Sequence, residues 1–295
     1  MKRYLLLSAF CLVAVSLMAQ PESQIPQEMQ HSPAQDSVLA RPLSYPCHII
    51  KAPCAPKHVE VLSINNSLIY VNKQDSIFDR IAAERGKDAN WTMHTLLGRT
   101  LKRHWEEGDS VNAKGEFTAK YKVRSRPWTH IVLQEQSRLP RANYEWFREA
   151  VHKWVDYIRQ NCPNPDVVII LTMNWGYNNQ PDQYAWQNEV LYRNCLALAQ
   201  ECGIILCPVG LGNQDAFETG GIDAANKLHN DECHPSHRGT YMAACMEYSI
   251  IFNDDPRNIG YDSPKLTHEQ SVEVRERVAR VLNKFRGGCE NCKLP

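Results

Sequence analysis

Five short runs rich in apolar and β-branched residues recur along the chain, each bounded by polar, glycine or proline residues. They cover residues 59–64, 90–97, 128–133, 166–173 and 204–209. Their length and their bounding residues are typical of β-strands. The run 166–173 is almost continuously apolar, which is typical of a central parallel strand buried on both faces.

Stretches with helical periodicity lie between and after these runs. They cover residues 74–85, 101–107, 143–160, 182–202, 236–252 and 267–286. Residues 109–126 are predicted to be irregular, and residues 210–230 to be a loop with one short helix. Because strands alternate with helices, the pattern predicts an α/β fold: a three-layer α/β/α arrangement with a mostly parallel five-stranded sheet.

The ends of the chain do not share this pattern. Residues 1–19 have a basic start and a short apolar run, which predicts a signal peptide. Residues 20–57 are rich in Pro, Gln and Ser, which predicts an extended or disordered leader. A single domain is then expected over residues 58–288, followed by a tail over 289–295. We therefore expect an exported protein, periplasmic or extracellular, with no membrane span.

Charge and cysteine content narrow the classes of partner and compartment. Lys and Arg number 33 and Asp and Glu number 33, so the formal net charge is zero. A nucleic-acid partner would require a basic patch, and none is expected. Export places the ten cysteines that follow Cys11 in an oxidising compartment. The local pairs Cys47–Cys54 and Cys289–Cys292 are the predicted disulfides, with a redox pair as the alternative for the second.

Candidate chemistry is concentrated in the segment Asn230-Asp231-Glu232-Cys233-His234-Pro235. An aspartate three residues before a histidine can fold back onto the imidazole and fix its tautomer, as a serine hydrolase requires. A metal site is the alternative, because five residues within this part of the chain are possible ligands: His229, Asp231, Cys233, His234 and His237. Their spacing matches no closed zinc pattern, so we expect no metal and no cofactor.

Four other positions follow the predicted strands directly. Ser67, Gly98, Gln134 and Trp175 each come after a different strand. In sheets of this kind ligands bind outside the carboxyl ends of the strands. These positions and the Asp231–His234 loop are therefore expected to meet at one edge of the sheet.

The order of these motifs resembles that of the GDSL-like SGNH hydrolases. The segments LLGRTLKRHW, WTHIVLQEQS, NWGY and DECHPSHRGTYMAAC resemble an exported bacterial branch of that superfamily. The resemblance covers about residues 59–252 and implies a flavodoxin-like SGNH hydrolase fold. It also implies that Ser67 is the nucleophile, that His234 is the general base, and that Asp231 orients His234.

The resemblance further implies an oxyanion hole. Its donors would be the N–H groups of Ser67 and Gly98 and a side-chain amide, for which Gln134 is preferred over Gln136. The family usually has glycine where this chain has Asn65, and asparagine is the residue that best replaces glycine where φ is positive. Asn66, Trp175 and Tyr177 are the candidate substrate-binding residues, although both aromatic rings could instead cover the core.

The expected activity is that of a secreted serine esterase that acts through an acyl-serine intermediate. Its substrate would be a small-molecule or carbohydrate ester, for example an O-acetyl group on a sugar. Two alternatives remain open from the sequence. One is a non-catalytic carbohydrate-binding protein on the same fold, and the other is a metal-dependent hydrolase that uses the residues from His229 to His237.

Overall fold

The computed structural model describes residues 56–286. The predicted signal peptide, nearly all of the predicted leader and the C-terminal tail lie outside the described residues. The predicted disulfides Cys47–Cys54 and Cys289–Cys292 lie there too. Between residues 56 and 286 no two cysteines are joined by a disulfide.

A five-stranded sheet forms the centre of the molecule. Its strands are β1 (His58–Asn65), β2 (Asp88–Thr95), β3 (His130–Gln134), β4 (Val168–Thr172) and β5 (Ile205–Cys207). Their order across the sheet is β2-β1-β3-β4-β5, and every neighbouring pair is parallel. The chain adds β2 on one side of β1 and β3 on the other, so the carboxyl end of β1 is the point where the order reverses. Ligand sites in open α/β sheets form at such a point.

Helices cover both faces of this sheet. They are α1 (Ser67–Tyr70), α2 (Gln74–Glu84), α3 (Leu101–Glu106), α4 (Ala119–Ser125), α5 (Leu139–Ala142), α6 (Tyr144–Asn161), α7 (Tyr184–Cys202), α8 (Val209–Asn226), α9 (His237–Ile251) and α10 (His268–Arg286). No helix in the described part of the chain combines the length and apolarity needed to cross a membrane. The predicted three-layer α/β/α fold is confirmed.

Side-chain alternation along the strands divides the core in two. In β1, Val59 and Val61 belong to the core on the side of α2, α9 and α10. Leu62 and Ile64 belong to the core on the opposite side, with α3, α6 and α7. Successive strand residues point to opposite faces, so one short strand supplies apolar residues to both layers.

Two predicted loops were wrong. Residues 210–230 were expected to be mostly loop, but α8 extends over Val209–Asn226, with a break in helical geometry at Gly220 and Gly221. Gly210, near the start of α8, allows this helix to pack closely against the loop after β4, since a Cβ there would lie 2.1 Å from the Asn174 carbonyl oxygen. Residues 109–126 were expected to be irregular, but they include α4, whose start is capped by Thr118.

Candidate active site

The carboxyl end of β1 presents Ser67 at the first turn of α1. Asn66 is the residue that caps this helix: its side-chain oxygen accepts the N–H of Leu68 at 3.1 Å. The Ser67 hydroxyl is therefore not used for capping. As the first residue of the helix, Ser67 also has a backbone N–H with no intrahelical acceptor. Both its hydroxyl and its N–H remain available for chemistry.

Ser67, His234 and Asp231 form a continuous hydrogen-bonded set. His234 Nε2 lies 2.9 Å from Ser67 Oγ, and His234 Nδ1 lies 2.8 Å from Asp231 Oδ2. Ser67 and His234 are 167 residues apart in the chain, and the fold brings them together at the switch point of the sheet. The sequence prediction that these three side chains meet therefore agrees with the geometry.

The Asp231 carboxylate holds both the ring and the backbone of His234. Its Oδ1 accepts the N–H of Cys233 at 3.0 Å and that of His234 at 2.7 Å. Burial opposes ionisation of Asp231, but these N–H groups and the His234 ring together hold its pKa below the usual range. An ionised Asp231 accepts from Nδ1–H of a neutral His234, which leaves the Nε2 lone pair facing the Ser67 hydroxyl.

The loop that carries the Asp–His pair is fixed by the loop after β4. Trp175 Nε1 donates to the Cys233 carbonyl at 2.8 Å, and the Asn178 N–H donates to the Glu232 carbonyl at 3.2 Å. Trp175 is only 4% exposed. Its ring packs edge-on against His229. Trp175 therefore holds the loop that carries Asp231 and His234. Its buried ring is not available to a sugar, so the prediction that Trp175 binds substrate does not agree with the geometry.

The loop after β2 is tied to Asn65 and Asn66, directly before Ser67, by one backbone and one side-chain hydrogen bond. The Leu96 N–H donates to the Asn65 carbonyl at 3.1 Å, and Asn66 Nδ2 donates to the Arg99 carbonyl at 3.1 Å. Between these two tethers lies Gly98, which is exposed and has a φ of +65°. Within residues 56–286 its N–H has no hydrogen-bond acceptor. Gly98 thus lies in a loop that is tied to the residues before Ser67, and its N–H is available as a donor.

Asn66 and Gln134 are occupied by structural contacts. The Asn66 side chain is 1% exposed and is used by the α1 cap and by the Arg99 carbonyl. Gln134 is fully buried: its Oε1 accepts the Asn66 N–H at 3.1 Å, and its Nε2 donates to the Glu135 carbonyl and to Asn174 Oδ1. Both N–H bonds of the Gln134 amide are used. The preference for Gln134 as an oxyanion donor, and for Asn66 as a substrate contact, therefore does not agree with the geometry.

Gln136 is the amide that retains donor capacity. Its Oε1 accepts the N–H groups of Arg138 at 2.9 Å and Leu139 at 3.1 Å. Its Nε2 has one long contact, 3.4 Å to the Tyr177 hydroxyl. Gln136 and Tyr177 are both half-buried. Of the three predicted substrate-binding residues, Tyr177 is the one with a partly exposed side chain.

Asn65 occupies the usual glycine position for a reason other than backbone geometry. Within the described residues, the non-glycine positions with positive φ are Lys73 and Asn253, so the expectation of a positive φ at Asn65 was wrong. Its side chain is buried, donates to Ser63 Oγ at 2.7 Å and accepts from Thr95 Oγ1 at 2.6 Å. Asn65 thereby ties β1 to β2 two residues before Ser67.

Glu135 is a buried acid that sequence reasoning missed. It is 1% exposed, and its carboxyl oxygens accept the N–H groups of Leu101 and Gln136. Burial raises its pKa to about 8. It ties the start of α3 to the loop after β3. The available signal was a glutamate between two glutamines directly after a buried strand.

The predicted metal-ligand cluster is reduced to three residues. Asp231, Cys233 and His234 have possible ligand atoms within 4.8 Å of one another. His229 is instead buried, with Nε2 2.9 Å from the Tyr184 hydroxyl, and burial lowers its pKa to about 4. His237 begins α9 and is exposed.

Several solved structures are similar to this chain. A DUF4886 family protein from Bacteroides uniformis superposes with a TM-score of 0.65 at 17% identity, over 78% of this chain and 96% of its own. A proposed SGNH hydrolase from Slackia heliotrinireducens has a TM-score of 0.52 at 18% identity, over 66% and 99%. A proposed GDSL-like lipase from Parabacteroides merdae has a TM-score of 0.50 at 13% identity, over 68% and 99%. No curated protein matches the chain in sequence.

At these identities the superpositions establish the fold. The model of the DUF4886 family, described as a domain of unknown function, matches residues 110–280, which is more than half of the chain. That segment includes the loops after β3 and β4 and the Asp231–His234 pair. The fold is that of the SGNH hydrolases, and the chain belongs to the DUF4886 family.

Proposed function

We propose that the protein is an exported serine esterase that hydrolyses acyl esters, with O-acetyl groups on carbohydrates as the expected substrate class. The observation that carries this proposal is the contact of 2.9 Å between Ser67 Oγ and His234 Nε2, with Asp231 2.8 Å from the other ring nitrogen. A hydroxyl is a weak nucleophile unless an oriented base takes its proton. This arrangement supplies that base and its orienting carboxylate.

The reaction would proceed in two displacements. Ser67 Oγ attacks the ester carbonyl carbon as its proton moves to His234 Nε2, and the carbonyl oxygen becomes an oxyanion. Collapse of this intermediate breaks the bond to the alcohol, which leaves with the proton from His234. A water molecule then attacks the acyl-serine by the same route, releasing the acid and regenerating Ser67.

Three donors would stabilise the oxyanion. The N–H groups of Ser67 and Gly98 come from different loops that Asn65 and Asn66 tie together. We assign the third donor to Gln136, because the N–H bonds of Gln134 are already used. Donors held in place before the reaction stabilise the developing charge without a reorganisation cost.

Covalent labelling tests the nucleophile directly. We expect an organophosphate probe to modify one serine, Ser67, and p-nitrophenyl acetate hydrolysis to stop when it is modified. Ser67→Ala should remain folded, unlabelled and inactive. Ser137→Ala is the matched control, since Ser137 Oγ lies near the site, 3.4 Å from the Tyr177 hydroxyl, but has no hydrogen bond to a histidine in the described part of the chain. Labelling at another residue, or full activity in a folded Ser67→Ala variant, would refute the proposal.

A metal-dependent hydrolase is the second candidate, favoured by the clustering of Asp231, Cys233 and His234. It differs from the first in its dependence on Ser67. A metal-activated water would still hydrolyse esters in Ser67→Ala, and Cys233→Ser would weaken the activity. In the serine esterase, Ser67→Ala is inactive and Cys233→Ser retains activity. A carbohydrate-binding protein without catalysis would show neither labelling nor turnover.

A further inference from the structure

A second cluster of ionisable side chains lies between β2 and α3, beside the catalytic set. His94 is on β2, His104 is on α3, and Glu107 is the C-cap residue that directly follows α3. Each of the three offers a possible metal-ligand atom, and these atoms all lie within 4.8 Å of one another. His94 is 6% exposed and His104 is fully buried. The proposed esterase chemistry assigns none of the three a role.

The hydrogen bonds of His104 determine which ring nitrogen carries its proton. Nε2 lies 2.9 Å from the Asn65 carbonyl oxygen, which can only accept, so Nε2 is the donor. In a neutral imidazole Nδ1 is then a lone pair. That atom is buried, and within residues 56–286 it has no hydrogen-bond partner. It faces Glu107 Oε2 at 3.8 Å, beyond hydrogen-bond distance.

A lone pair that faces a carboxylate oxygen in the protein interior is unfavourable unless a positive charge lies between them. His94 contributes from the other side, with Nε2 2.6 Å from the same Glu107 Oε2. Asn112 Nδ2 donates to the other carboxylate oxygen, which orients the group. Two imidazoles and one carboxylate therefore converge on a point that a cation would satisfy.

We propose that His94, His104 and Glu107 bind one divalent transition-metal ion, for which Zn²⁺ is the best match. Two imidazole nitrogens and one carboxylate oxygen form a donor set that suits zinc. A histidine that binds metal through one nitrogen usually donates its other N–H to a carbonyl or carboxylate, as His104 does to Asn65. Bonds of about 2.0–2.2 Å from both atoms to one ion require the distance between His94 Nε2 and Glu107 Oε2 to increase from 2.6 Å by less than about 1 Å.

The bound metal would hold in place the backbone that precedes Ser67. The Asn65 carbonyl that His104 contacts also accepts the N–H of Leu96. That carbonyl lies two residues before Ser67, and Leu96 lies two residues before Gly98. An ion on Nδ1 would hold the His104 ring and hence this junction of β1 and the loop after β2. This consequence for catalysis rests on the proposed function, whereas the binding of metal does not.

Metal binding to the untagged, chelator-treated and dialysed chain tests the site. We expect calorimetry with Zn²⁺ to give one equivalent per chain, and Tm to rise by roughly 5–10 °C at about 100-fold excess over Kd. Glu107→Gln preserves side-chain shape and an acceptor for His94, and it should abolish both effects. His104→Gln should do the same. Cys233→Ser is the matched control, because it disrupts the other possible cluster, and it should bind as the wild type does.

Three outcomes of these titrations would overturn the proposed metal site. If the folded wild type binds less than about 0.1 equivalent of Zn²⁺, Co²⁺ or Ni²⁺, the three residues form a hydrogen-bonded group only. Equal binding by Glu107→Gln and the wild type would show that the ion lies elsewhere, as would loss of binding in Cys233→Ser alone. None of these readouts uses ester hydrolysis, so the result does not depend on the esterase assignment.

Discussion

At the scale of single residues, each carboxylate oxygen of Asp231 makes its own contacts with the loop of His234. One substitution can distinguish these contacts from the general effect of losing a negative charge. Its Oδ2 contacts the His234 ring, and its Oδ1 accepts two backbone N–H groups. In Asp231→Asn an amide oxygen can replace only one carboxylate oxygen as an acceptor. The other position becomes an N–H donor and an unsuitable partner for Nδ1–H.

We expect Asp231→Asn to lower kcat by roughly 10²–10⁴-fold in hydrolysis of p-nitrophenyl acetate, the range of a positioned acid–base group. The matched control is Asp88→Asn, because Asp88 Oδ2 lies 2.7 Å from His58 Nδ1 in an exposed pair at the other end of the sheet. That control should retain its kcat. Equal losses in both variants would mean that the effect is not catalytic.

The two glutamines after β3 provide a second residue-scale prediction. Gln136→Glu keeps an oxygen acceptor for the N–H groups of Arg138 and Leu139 but removes the amide donor and adds charge. We expect kcat to fall by about 10²–10³-fold, with a smaller change in KM, because the donor acts mainly on the developing oxyanion. Gln134→Ala should instead lower the free energy of unfolding, since it leaves the buried Asn66 N–H without its acceptor. An unchanged kcat in Gln136→Glu would contradict this assignment.

The sequence predicted that a glutamine near the end of β3 would serve the site, but it could not show which glutamine has a free amide N–H. Gln134 belongs to the strand and Gln136 to the turn beyond it. Alternation would place both on one side of an extended strand. The chain leaves the strand after Gln134, so this periodicity no longer applies to Gln136. Two of the three hydrogen bonds that occupy Gln134 join it to Asn66 and Asn174, which are distant in sequence.

At the scale of elements, hydrophobic periodicity located the strands and the long helices because each buries an apolar face. It failed where packing between elements overrides local preference. Glycines reduce helix propensity, and those in 210–221 led to the prediction of a loop. In the fold Gly210 lies against the Asn174 carbonyl, where any side chain would clash. Val209, Gly212 and Ala216 of α8 are also buried in the fold, which offsets the low propensity. Nothing local to the segment indicates these contacts.

The loop after β2 permits an element-scale test of the oxyanion hole. Gly98 and Gly86 share a φ of +65°, and a Cβ at either position would meet no atom within 4 Å. Alanine should therefore cost both variants a similar amount of stability, about 1–2 kcal/mol, through backbone strain alone. Gly86 follows α2, away from the catalytic residues. We expect kcat to fall only in Gly98→Ala, because relaxation of the strain moves the Gly98 N–H.

Denaturant unfolding and steady-state kinetics on this pair check the prediction. Similar stability losses with unequal kcat values support a catalytic role for the Gly98 N–H. If Gly98→Ala and Gly86→Ala have the same kcat, the loop after β2 contributes no donor, and the oxyanion hole would consist of the Ser67 N–H and a side chain.

At the scale of the whole molecule, buried acids behind the site make stability depend on pH. Burial raises the pKa of Glu135 to about 8 and that of Glu247 to about 7. The unfolded chain releases the Glu135 proton near its ordinary pKa of 4.5. Between these values the folded state binds more protons than the unfolded state. Its stability therefore falls as pH rises through this window.

Glu135→Gln isolates this contribution, because glutamine retains an acceptor for Leu101 or Gln136 and has no proton to release in this range. Relative to the wild type, the variant should become progressively more stable as pH rises from about 5, and the difference should level off above about 8. Glu247 is present in both proteins and cancels in the comparison.

Urea unfolding at about pH 5, 7 and 9 gives the three free energies required. Glu145→Gln, an exposed substitution on α6, controls for the loss of a charge. Parallel stability curves for Glu135→Gln and the wild type would mean that Glu135 ionises in the folded protein as readily as in the unfolded chain. The buried hydrogen bonds through which Glu135 joins α3 to the loop after β3 would then tolerate a charged carboxylate.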